Sequence, residues 1–262
     1  MRKQYPSIAA CISNVGNKRA KNEDDYYFYG WTRSEDDDQN KAFVSHQNYF
    51  DNVSTPWQFY AVFDGMGGGN FGEVASQTAA RGAKQFVENV DNIHPYDIST
   101  SLTWMCDFLN KIVYKTAKNL GTNKMGTTMS SLFFYKGFFW VCNLGDSKAF
   151  LVRDNKIYQI SKDHTDEKEM KEYNITGRKP YVTQYLGIDP EELKLDPHIR
   201  SGKVFKDDVF VICSDGLTDM VPNKQIGRIV ASSRNVGECA ERLMSEALNA
   251  GGVDNTTIIV IA

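Results

Sequence analysis

The hydrophobic pattern of this chain changes between the two-residue period of β-strands and the 3.6-residue period of helices. Strand-like apolar runs cover 8–12, 26–31, 57–63, 129–135, 138–144, 149–153, 156–160, 209–213 and 256–261. The helical spacing of apolar residues predicts helices over 71–90, 98–120, 223–231 and 237–248. The runs between 129 and 160 are separated by short turns, which favours one antiparallel meander.

These elements predict an α+β fold. Strands dominate both ends of the chain and the helices come in two pairs. The economical arrangement is an antiparallel β-sandwich flanked by pairs of α-helices, with four layers in the order α/β/β/α. No linker or low-complexity tract divides the sequence, which indicates a single domain over 1–262. The polar stretch 32–56 carries the acidic run 35–38 and is interpreted as a solvated loop.

Composition narrows the classes of function. The 262 residues carry a net charge of -3 with scattered Lys and Arg residues, so we expect no nucleic-acid partner. The five cysteines, at 11, 106, 142, 213 and 239, form no CxxC pair and are interpreted as reduced core residues. The first residues lack an apolar signal region, and no apolar run reaches the roughly 18 residues of a membrane span. The expectation is therefore a cytoplasmic protein without membrane contact.

Four acidic residues stand where an apolar strand pattern meets a Gly or Asn turn: Asp24, Asp64, Asp215 and Asp254. Asp215 follows its strand and Asp254 precedes its strand, so antiparallel pairing would bring both carboxylates to one sheet end. Asp64 also follows its strand. Each acid taken alone is explained by a turn role, because Asp-Gly is a common turn dipeptide. Converging carboxylates cannot all stay ionised unless a cation lies among them, so the set predicts a metal site.

The type of ligand indicates the metal and the reaction. Oxygen ligands without a nearby His or Cys suit Mg²⁺ or Mn²⁺ rather than Zn²⁺. Two such ions about 3.5 to 4 Å apart, bridged by one carboxylate, would activate a shared water and hold a phosphoryl group for in-line attack. Hydrolysis of a phosphate ester is the reaction that this set of residues fits best.

A competing motif points to nucleotide binding. Residues 67–72 satisfy G-x-G-x-x-G after a strand and before a helix, which is the context of a dinucleotide site. However, no strand is predicted directly after that helix, and Asp64 would repel a pyrophosphate unless a metal intervened. We interpret these glycines as letting the backbone pass close to a metal, with the Gly65 carbonyl as a candidate ligand. A nucleotide-binding oxidoreductase is the rival hypothesis.

Eight segments match the motifs of one known family in that family's order: RAKNED (19–24), VFDGMGG (62–68), GEVAS (72–76), MGTT (125–128), LGDS (144–147), DHT (163–165), CSDGL (213–217) and GVDN (252–255). The chain thus resembles the metal-dependent protein serine/threonine phosphatases of the PPM (type 2C) family in their compact bacterial form. The resemblance covers nearly the whole chain. It implies a β-sandwich flanked by α-helices, in agreement with the hydrophobic pattern.

The resemblance also implies a role for the acids at the strand ends. Asp64 is similar to the acid that bridges two metal ions, and Gly65 to the residue whose carbonyl binds the second ion. Asp215 and Asp254 resemble ligands of the first ion.

The remaining candidates surround these ligands. Glu23 and Asp24 match acids that hold metal-bound waters, and Asp146 matches the acid that binds a third ion together with Asp215. Arg19 matches the guanidinium that grips the substrate phosphate, a task suited to its planar fork. Without the motif around it, Arg19 would be interpreted as half of a surface ion pair.

The implied activity is that of a protein-serine/threonine phosphatase, which is a phosphoric monoester hydrolase. It would use two Mn²⁺ or Mg²⁺ ions, with room for a third, and a metal-bridging water would attack without a phosphoenzyme. Phosphorylated proteins would be the substrates of a monomer that opposes a bacterial Ser/Thr kinase. The alternative is a catalytically weak relative that binds phosphoproteins as a regulator; loss of metal acids would mark it, and none is lost.

The chain departs from the family pattern at three places. Met66 and Gly69 stand where eukaryotic and bacterial members carry a His, so protonation of the leaving group would fall to a metal-bound water. His164 lies in a turn motif and is interpreted as structural. The segment 166–180 matches the mobile flap beside the cleft and is short, and the stretch 32–56 resembles an insertion into the family's domain. These departures affect substrate recognition and leave the predicted metal ligands intact.

Overall fold

The computed structural model describes residues 8–33, 43–46, 57–68, 71–89 and 97–262, with the backbone alone for 43–46. The strands in these ranges are β1 (Ala9–Asn14), β2 (Asp24–Phe28), β3 (Phe43–His46), β4 (Trp57–Met66), β5 (Gly126–Thr127), β6 (Met129–Tyr135), β7 (Phe138–Leu144), β8 (Lys148–Arg153), β9 (Lys156–Gln159), β10 (His198–Lys203), β11 (Val209–Cys213) and β12 (Thr256–Ile261). The helices are α1 (Phe71–Asn89), α2 (Ile98–Asn119), α3 (Glu167–Glu172), α4 (Asp215–Thr218), α5 (Asn223–Ser232) and α6 (Val236–Asn249).

The strands form two antiparallel sheets. The first sheet has the order β3-β1-β12-β11-β8-β9, and the second has the order β10-β7-β6-β4-β2. The short β5 pairs with the end of β4. Because β12 lies between β1 and β11, the first and last strands of the described ranges are neighbours inside one sheet.

Strand β4 shows how the layers are built. Ala61 and Phe63 pack with α1 and α2 in one apolar cluster, whereas Tyr60 and Val62 lie in the cluster between the two sheets. Both faces of this strand are therefore buried, which explains its continuous apolar run. A third cluster joins the first sheet to α5 and α6 on its outer side. The predicted four-layer α/β/β/α sandwich is confirmed.

The predicted meander over 129–160 is wrong at its centre. β6 pairs with β7 and β8 pairs with β9, but these two hairpins belong to different sheets. Between them the chain crosses from the second sheet to the first at residues 145–147, and β8 pairs with β11. Gly145 adopts a φ of 96° there, which a side chain rarely allows. The crossing matters for function because the turn carries Asp146.

Two irregular regions hold structure that the hydrophobic pattern did not reveal. β3 lies inside the stretch 32–56 predicted as a loop, where it pairs with β1 as an edge strand; residues 34–42 and 47–56 lie outside the described ranges. The flap 166–180 contains α3 and is closed by Arg178, whose guanidinium binds both carboxylate oxygens of Asp166 at 2.5 and 3.3 Å. In the described ranges, no helix is long and apolar enough to cross a membrane.

Candidate metal centre

The pairing of β2 with β4 sets two of the predicted acids side by side. Asp24 is the first residue of β2, and its Cα lies directly opposite that of Asp64. Asp64 lies within β4 rather than after it, because the strand continues to Met66 through its pairing with β5. The backbone N–H of Asp64 donates to Thr128 Oγ1 at 3.1 Å, and its carbonyl accepts from Thr128 N at 2.9 Å. Sheet register thus fixes both acids.

The other two acids meet at the ends of β11 and β12, as antiparallel pairing predicts. Ser214 N donates to Thr257 O at 3.1 Å, which extends the ladder to the residue before Asp215. A Cβ on Gly216 would overlap the carbonyl oxygen of Asn255, so only glycine lets these two segments approach so closely. Asp215 directly precedes Gly216, and Asp254 directly precedes Asn255. The contact between Gly216 and Asn255 therefore brings the two acids together.

The glycine after Asp64 allows three backbone segments, at Glu23, Gly65 and Gly72, to approach closely. Gly65 N donates to Glu23 O at 3.2 Å, and a Cβ on Gly65 would overlap the carbonyl oxygens of Glu23 and Gly72. The start of α1 is thereby brought against β4 and against Glu23. α1 is followed by α2 rather than by a strand, so the βαβ unit of a dinucleotide site is not formed.

The turn that carries Asp146 is fastened from two sides. Gly145 N donates to His164 Nδ1 at 3.3 Å, and His164 N donates to Gly145 O at 2.9 Å. Ser147 Oγ lies 2.7 Å from Thr128 Oγ1, the same hydroxyl that accepts from Asp64 N. His164 acts here as a support of the turn, in agreement with its structural interpretation.

A cavity of about 600 Å³ opens at this end of the sandwich. It brings together all the predicted site residues except Asp24: Arg19, Glu23, Asp64, Gly65, Asp146, Asp215 and Asp254. Asp24 lies fully buried behind them. The wall also includes residues that the sequence analysis did not single out, among them Lys124, Lys179, Tyr181 and Tyr185.

Burial and mutual repulsion disfavour the ionised forms of these acids. Burial raises the pKa of Asp24 to about 7 and that of Asp146 to about 6, with Asp215 adding to both shifts by charge repulsion. The pKa of Asp64 is raised well above its ordinary value by burial and then by Asp24 and Asp215. Burial and the nearby Asp219 raise the pKa of Asp215 as well. An additional cation would favour the ionised form of every member of this group.

The donor set fits a hard divalent cation. All the candidate ligands are carboxylate or carbonyl oxygens, which suit Mn²⁺ and Mg²⁺. In the described part of the structure, Asp24 Oδ1 is buried and has no hydrogen-bond partner, so one acceptor is left over at the site. A buried acceptor without a partner is costly unless a ligand or a water satisfies it.

Two basic side chains bind the outer acids. Arg19 Nη2 donates to Asp254 Oδ2 at 2.7 Å, and Lys179 Nζ lies 3.3 Å from Asp215 Oδ2 while also contacting Asp219. Among the described residues, no group of three His, Cys, Asp or Glu side chains is arranged closely enough to hold a metal ion while these ion pairs are formed. The strands and helices that carry the acids are in place, and the carboxylates of Asp254 and Asp215 face the cationic side chains of Arg19 and Lys179. Lys179 could not have been found from sequence, because no motif surrounds it in the flap.

Residues 45–250 match the sequence profile of the family described as Protein phosphatase 2C. The chain is a member of the protein phosphatase 2C family. Serine/threonine phosphatase stp of Listeria welshimeri is 30% identical over 210 residues, which cover 76% of this chain and 82% of that protein. Protein phosphatase PhpP of Streptococcus pneumoniae is 25% identical, covering 96% of this chain and 95% of that protein. These relatives confirm the predicted family.

The fold of the protein phosphatase 2C family is also matched by a solved structure. The catalytic domain of serine threonine protein phosphatase PstP in complex with two manganese ions is 26% identical to this chain, with a TM-score of 0.75. The match covers 97% of this chain and 96% of that one. The predictions of a metal-dependent phosphatase and of Mn²⁺ or Mg²⁺ as its cofactor are confirmed at the level of the family.

Proposed function

We propose that this member of the protein phosphatase 2C family hydrolyses phosphoserine and phosphothreonine in proteins at the cavity lined by Asp64, Asp215 and Asp254. The observation that carries the proposal is the convergence of acids from five separate segments on one cavity, with an unpartnered oxygen on Asp24 behind it. Such a cluster is costly in a protein without a cation. Its geometry supports a site for divalent ions.

In this proposal each acid has a distinct task. Asp64, the Gly65 carbonyl, Asp215 and Asp254 would hold two divalent ions, with Asp64 shared between them. Glu23 and Asp24 would hold surrounding waters, and Asp146 together with Asp215 would hold a third ion. When bound, ions of this kind activate a water as nucleophile and compensate the negative charge of the phosphate.

Arg19 is assigned to the substrate phosphate. Its side chain is 51% exposed, lines the cavity and is paired with Asp254, a predicted metal ligand. A guanidinium at such a position can release the carboxylate and bind two oxygens of a phosphate dianion instead, because carboxylate and phosphate both match the geometry of its planar fork. The same side chain then holds the phosphoryl group and neutralises part of its charge.

Protonation of the leaving group does not need a histidine in this proposal. Met66 occupies the place after Asp-Gly, and the described lining of the cavity contains no imidazole. His164 lies behind the turn of Asp146, and burial lowers its pKa, which favours the neutral imidazole. The leaving serine or threonine oxygen takes its proton from water in the cavity.

The cellular setting completes the proposal. The five cysteines are free thiols and all are buried, which fits a reducing compartment such as the cytoplasm. A monomer acting there would remove phosphate groups that a Ser/Thr kinase adds. The substrates are phosphorylated proteins, as the names of the relatives Serine/threonine phosphatase stp and Protein phosphatase PhpP support.

A phosphopeptide-release assay tests the proposed function. Wild-type protein should release phosphate with Mn²⁺ present and stop when a chelator is added, and Asp215→Asn should be nearly inactive. Asp207→Asn is the matched control, since Asp207 is exposed in a turn at a φ of 67° that Asn tolerates. Phosphate release that is insensitive to the chelator and to Asp215→Asn would contradict the proposal.

The same assay decides the second candidate, a catalytically weak regulator that binds phosphoproteins. The ion pairs of Arg19 with Asp254 and of Lys179 with Asp215 favour it, because they engage two of the predicted ligands. Binding of a phosphopeptide without its turnover, at saturating Mn²⁺, would support the regulator and reject the phosphatase.

A further inference from the structure

Two hydroxyl groups of the first sheet hold one carboxylate of the second sheet. Ser214 Oγ donates to Asp24 Oδ2 at 2.7 Å, and Thr257 Oγ1 donates to the same oxygen at 2.8 Å. The backbone N–H of Thr257 also donates to Ser214 Oγ at 2.9 Å, which ties the two donors together. All three residues are fully buried. The contact is a polar joint between the two sheets.

The polar joint extends further into the core. Asn22 Nδ2 donates to Ser13 Oγ at 2.9 Å, and Ser13 Oγ lies 2.8 Å from Thr257 Oγ1. Because the single hydroxyl proton of Thr257 is given to Asp24, Ser13 must be the donor to Thr257. The chain of donors therefore runs from Asn22 through Ser13 and Thr257 to Asp24 Oδ2. It closes on itself, since Asp24 N donates to Asn22 Oδ1 at 3.1 Å.

The two oxygens of Asp24 are treated very differently. Oδ2 receives both hydroxyl groups, whereas Oδ1 has no hydrogen-bond partner in the described part of the structure. Two donors on one oxygen fix the orientation of the carboxylate and favour its ionised form. The free oxygen belongs to the residue directly opposite Asp64 in the β2–β4 register.

We propose that Ser214 and Thr257 are positioning residues of the metal centre, which bind one oxygen of Asp24 so that the other is presented to the metal shell. Ser214 directly precedes Asp215, and Thr257 lies three residues after Asp254. The two segments that supply predicted metal ligands therefore also orient Asp24. The inference rests on the proposed role of Asp24, and neither hydroxyl group touches substrate.

Replacement of the hydroxyl group by a methyl group tests the proposal. Thr257→Val keeps the β-branched shape and removes one donor, so Mn²⁺ affinity measured by calorimetry should fall about 10-fold, the scale on which outer partners of metal ligands act. Thr257→Ser keeps the donor and should bind Mn²⁺ like the wild type. Ser131→Ala is the matched control, because it removes a buried hydroxyl that donates to Cys142 O at 3.0 Å away from the site.

The design separates positioning from stability. Thr257→Val and Ser131→Ala should lower the melting temperature comparably, but only Thr257→Val should weaken Mn²⁺ binding. In the double variant with Asp24→Asn, the loss should not add to that of Asp24→Asn alone, because Thr257 acts through Asp24. Ser214→Ala provides a second, independent test should Thr257→Val not fold.

Two results would overturn the proposal, and they have different meanings. In the first, Thr257→Val and Ser214→Ala bind Mn²⁺ like the wild type while Asp24→Asn binds it more weakly. The hydroxyl groups would then have only a structural role, and the proposed function would still stand. Unchanged affinity in Asp24→Asn itself would remove Asp24 from the metal centre and overturn that part of the proposed function as well.

Discussion

The acidic and the basic side chains of the candidate metal centre are held in opposite ways. Asp24 and Asp64 lie in paired strands, opposite each other in register, and backbone hydrogen bonds determine where they stand. Arg19 and Lys179 extend from segments between the strands and helices, and their side chains are 51% and 65% exposed. The acids therefore have little freedom, whereas the basic groups can change partners at low cost.

This difference assigns separate tasks to the sheet and to the loops. Arg19 and Lys179 pair with the outer acids Asp254 and Asp215, and neither forms an ion pair with Asp24 or Asp64 within the described ranges. The inner acids keep raised pKa values, caused by burial and by repulsion from neighbouring acids. Fixed positions suit ligands that must match the geometry of an ion, and exposed positions suit groups that must release one anion and bind another.

The largest expected effect is that of Asp64→Asn. The change removes a charge at the centre of the acid cluster and keeps the shape of the strand. Turnover of a phosphopeptide should fall by about 10²–10³-fold or more, the scale of a single electrostatic group at a reacting centre. Circular dichroism should show an unchanged fold. Activity within about threefold of wild type would remove the bridging role from Asp64.

Gly216→Ala should separate the two outer acids. The new methyl group would overlap Asn255 O, so the contact that places Asp215 beside Asp254 must open. Unfolding free energy should fall by roughly 1–3 kcal/mol, the usual cost of overpacking, and Mn²⁺ affinity should fall with it. Gly68→Ala is the matched control, because a Cβ there meets nothing within 4 Å. Equal behaviour of the two variants in calorimetry would contradict the close-approach argument.

The pH dependence of the metal-free protein follows from the raised pKa values. Asp24 and Asp146, with pKa values of about 7 and about 6, bind protons more tightly in the folded than in the unfolded state. Their contribution to stability is complete below the unfolded carboxyl value and is lost as pH rises through about 6 to 7. The melting temperature should fall by roughly 10 °C between about pH 5 and about pH 8.

Two additions sharpen this pH experiment. Mn²⁺ should restore the melting temperature at the alkaline end, because a bound cation favours the ionised acids. Asp24→Asn should make the profile shallower, since an amide does not titrate in this range and the contribution of Asp146 remains. A wild-type profile that is flat without metal would show that the acids are not held as described.

The smallest effect is expected at the exposed basic group. Arg19→Ala should raise KM for a phosphopeptide by roughly 10-fold, because a charge-assisted hydrogen bond is lost, and should change kcat less. Arg19→Lys should recover only part of the affinity, since an ammonium cannot bind two oxygens in one plane. Steady-state kinetics of the three proteins checks this, and an unchanged KM would leave Arg19 as a surface partner of Asp254.

Strands with a strong apolar pattern could be predicted from sequence. The bounds of β6, β7, β11 and β12 agree with the predicted runs, because each run is buried and ends at turn residues. β10 could not be found in this way. It is an edge strand with half-exposed and exposed positions, so its sequence HIRSGK shows no alternation.

The choice of partner strand and of ion pair lay beyond sequence reasoning. The turn at 145–147 has the length of a hairpin connection, yet the chain changes sheets there because β8 pairs with β11. The sequence predicted that the four acids converge. It did not predict that Asp24 lies directly opposite Asp64, because it does not show that β2 pairs with β4. The contacts of Lys179 depend on how the flap folds over the cavity, which no local pattern records.

The position of β12 inside the first sheet has a consequence for the order in which the protein folds. It follows all the other strands of the described ranges along the chain, yet it fills the interior of the first sheet between β1 and β11. Until it arrives, those two strands have unpaired edges, and Asp24 lacks the hydroxyl of Thr257. Such long-range pairing folds late and slowly. A chain that ends before 254 would therefore lack both Asp254 and β12, so the predicted metal centre cannot form before β12 has been added.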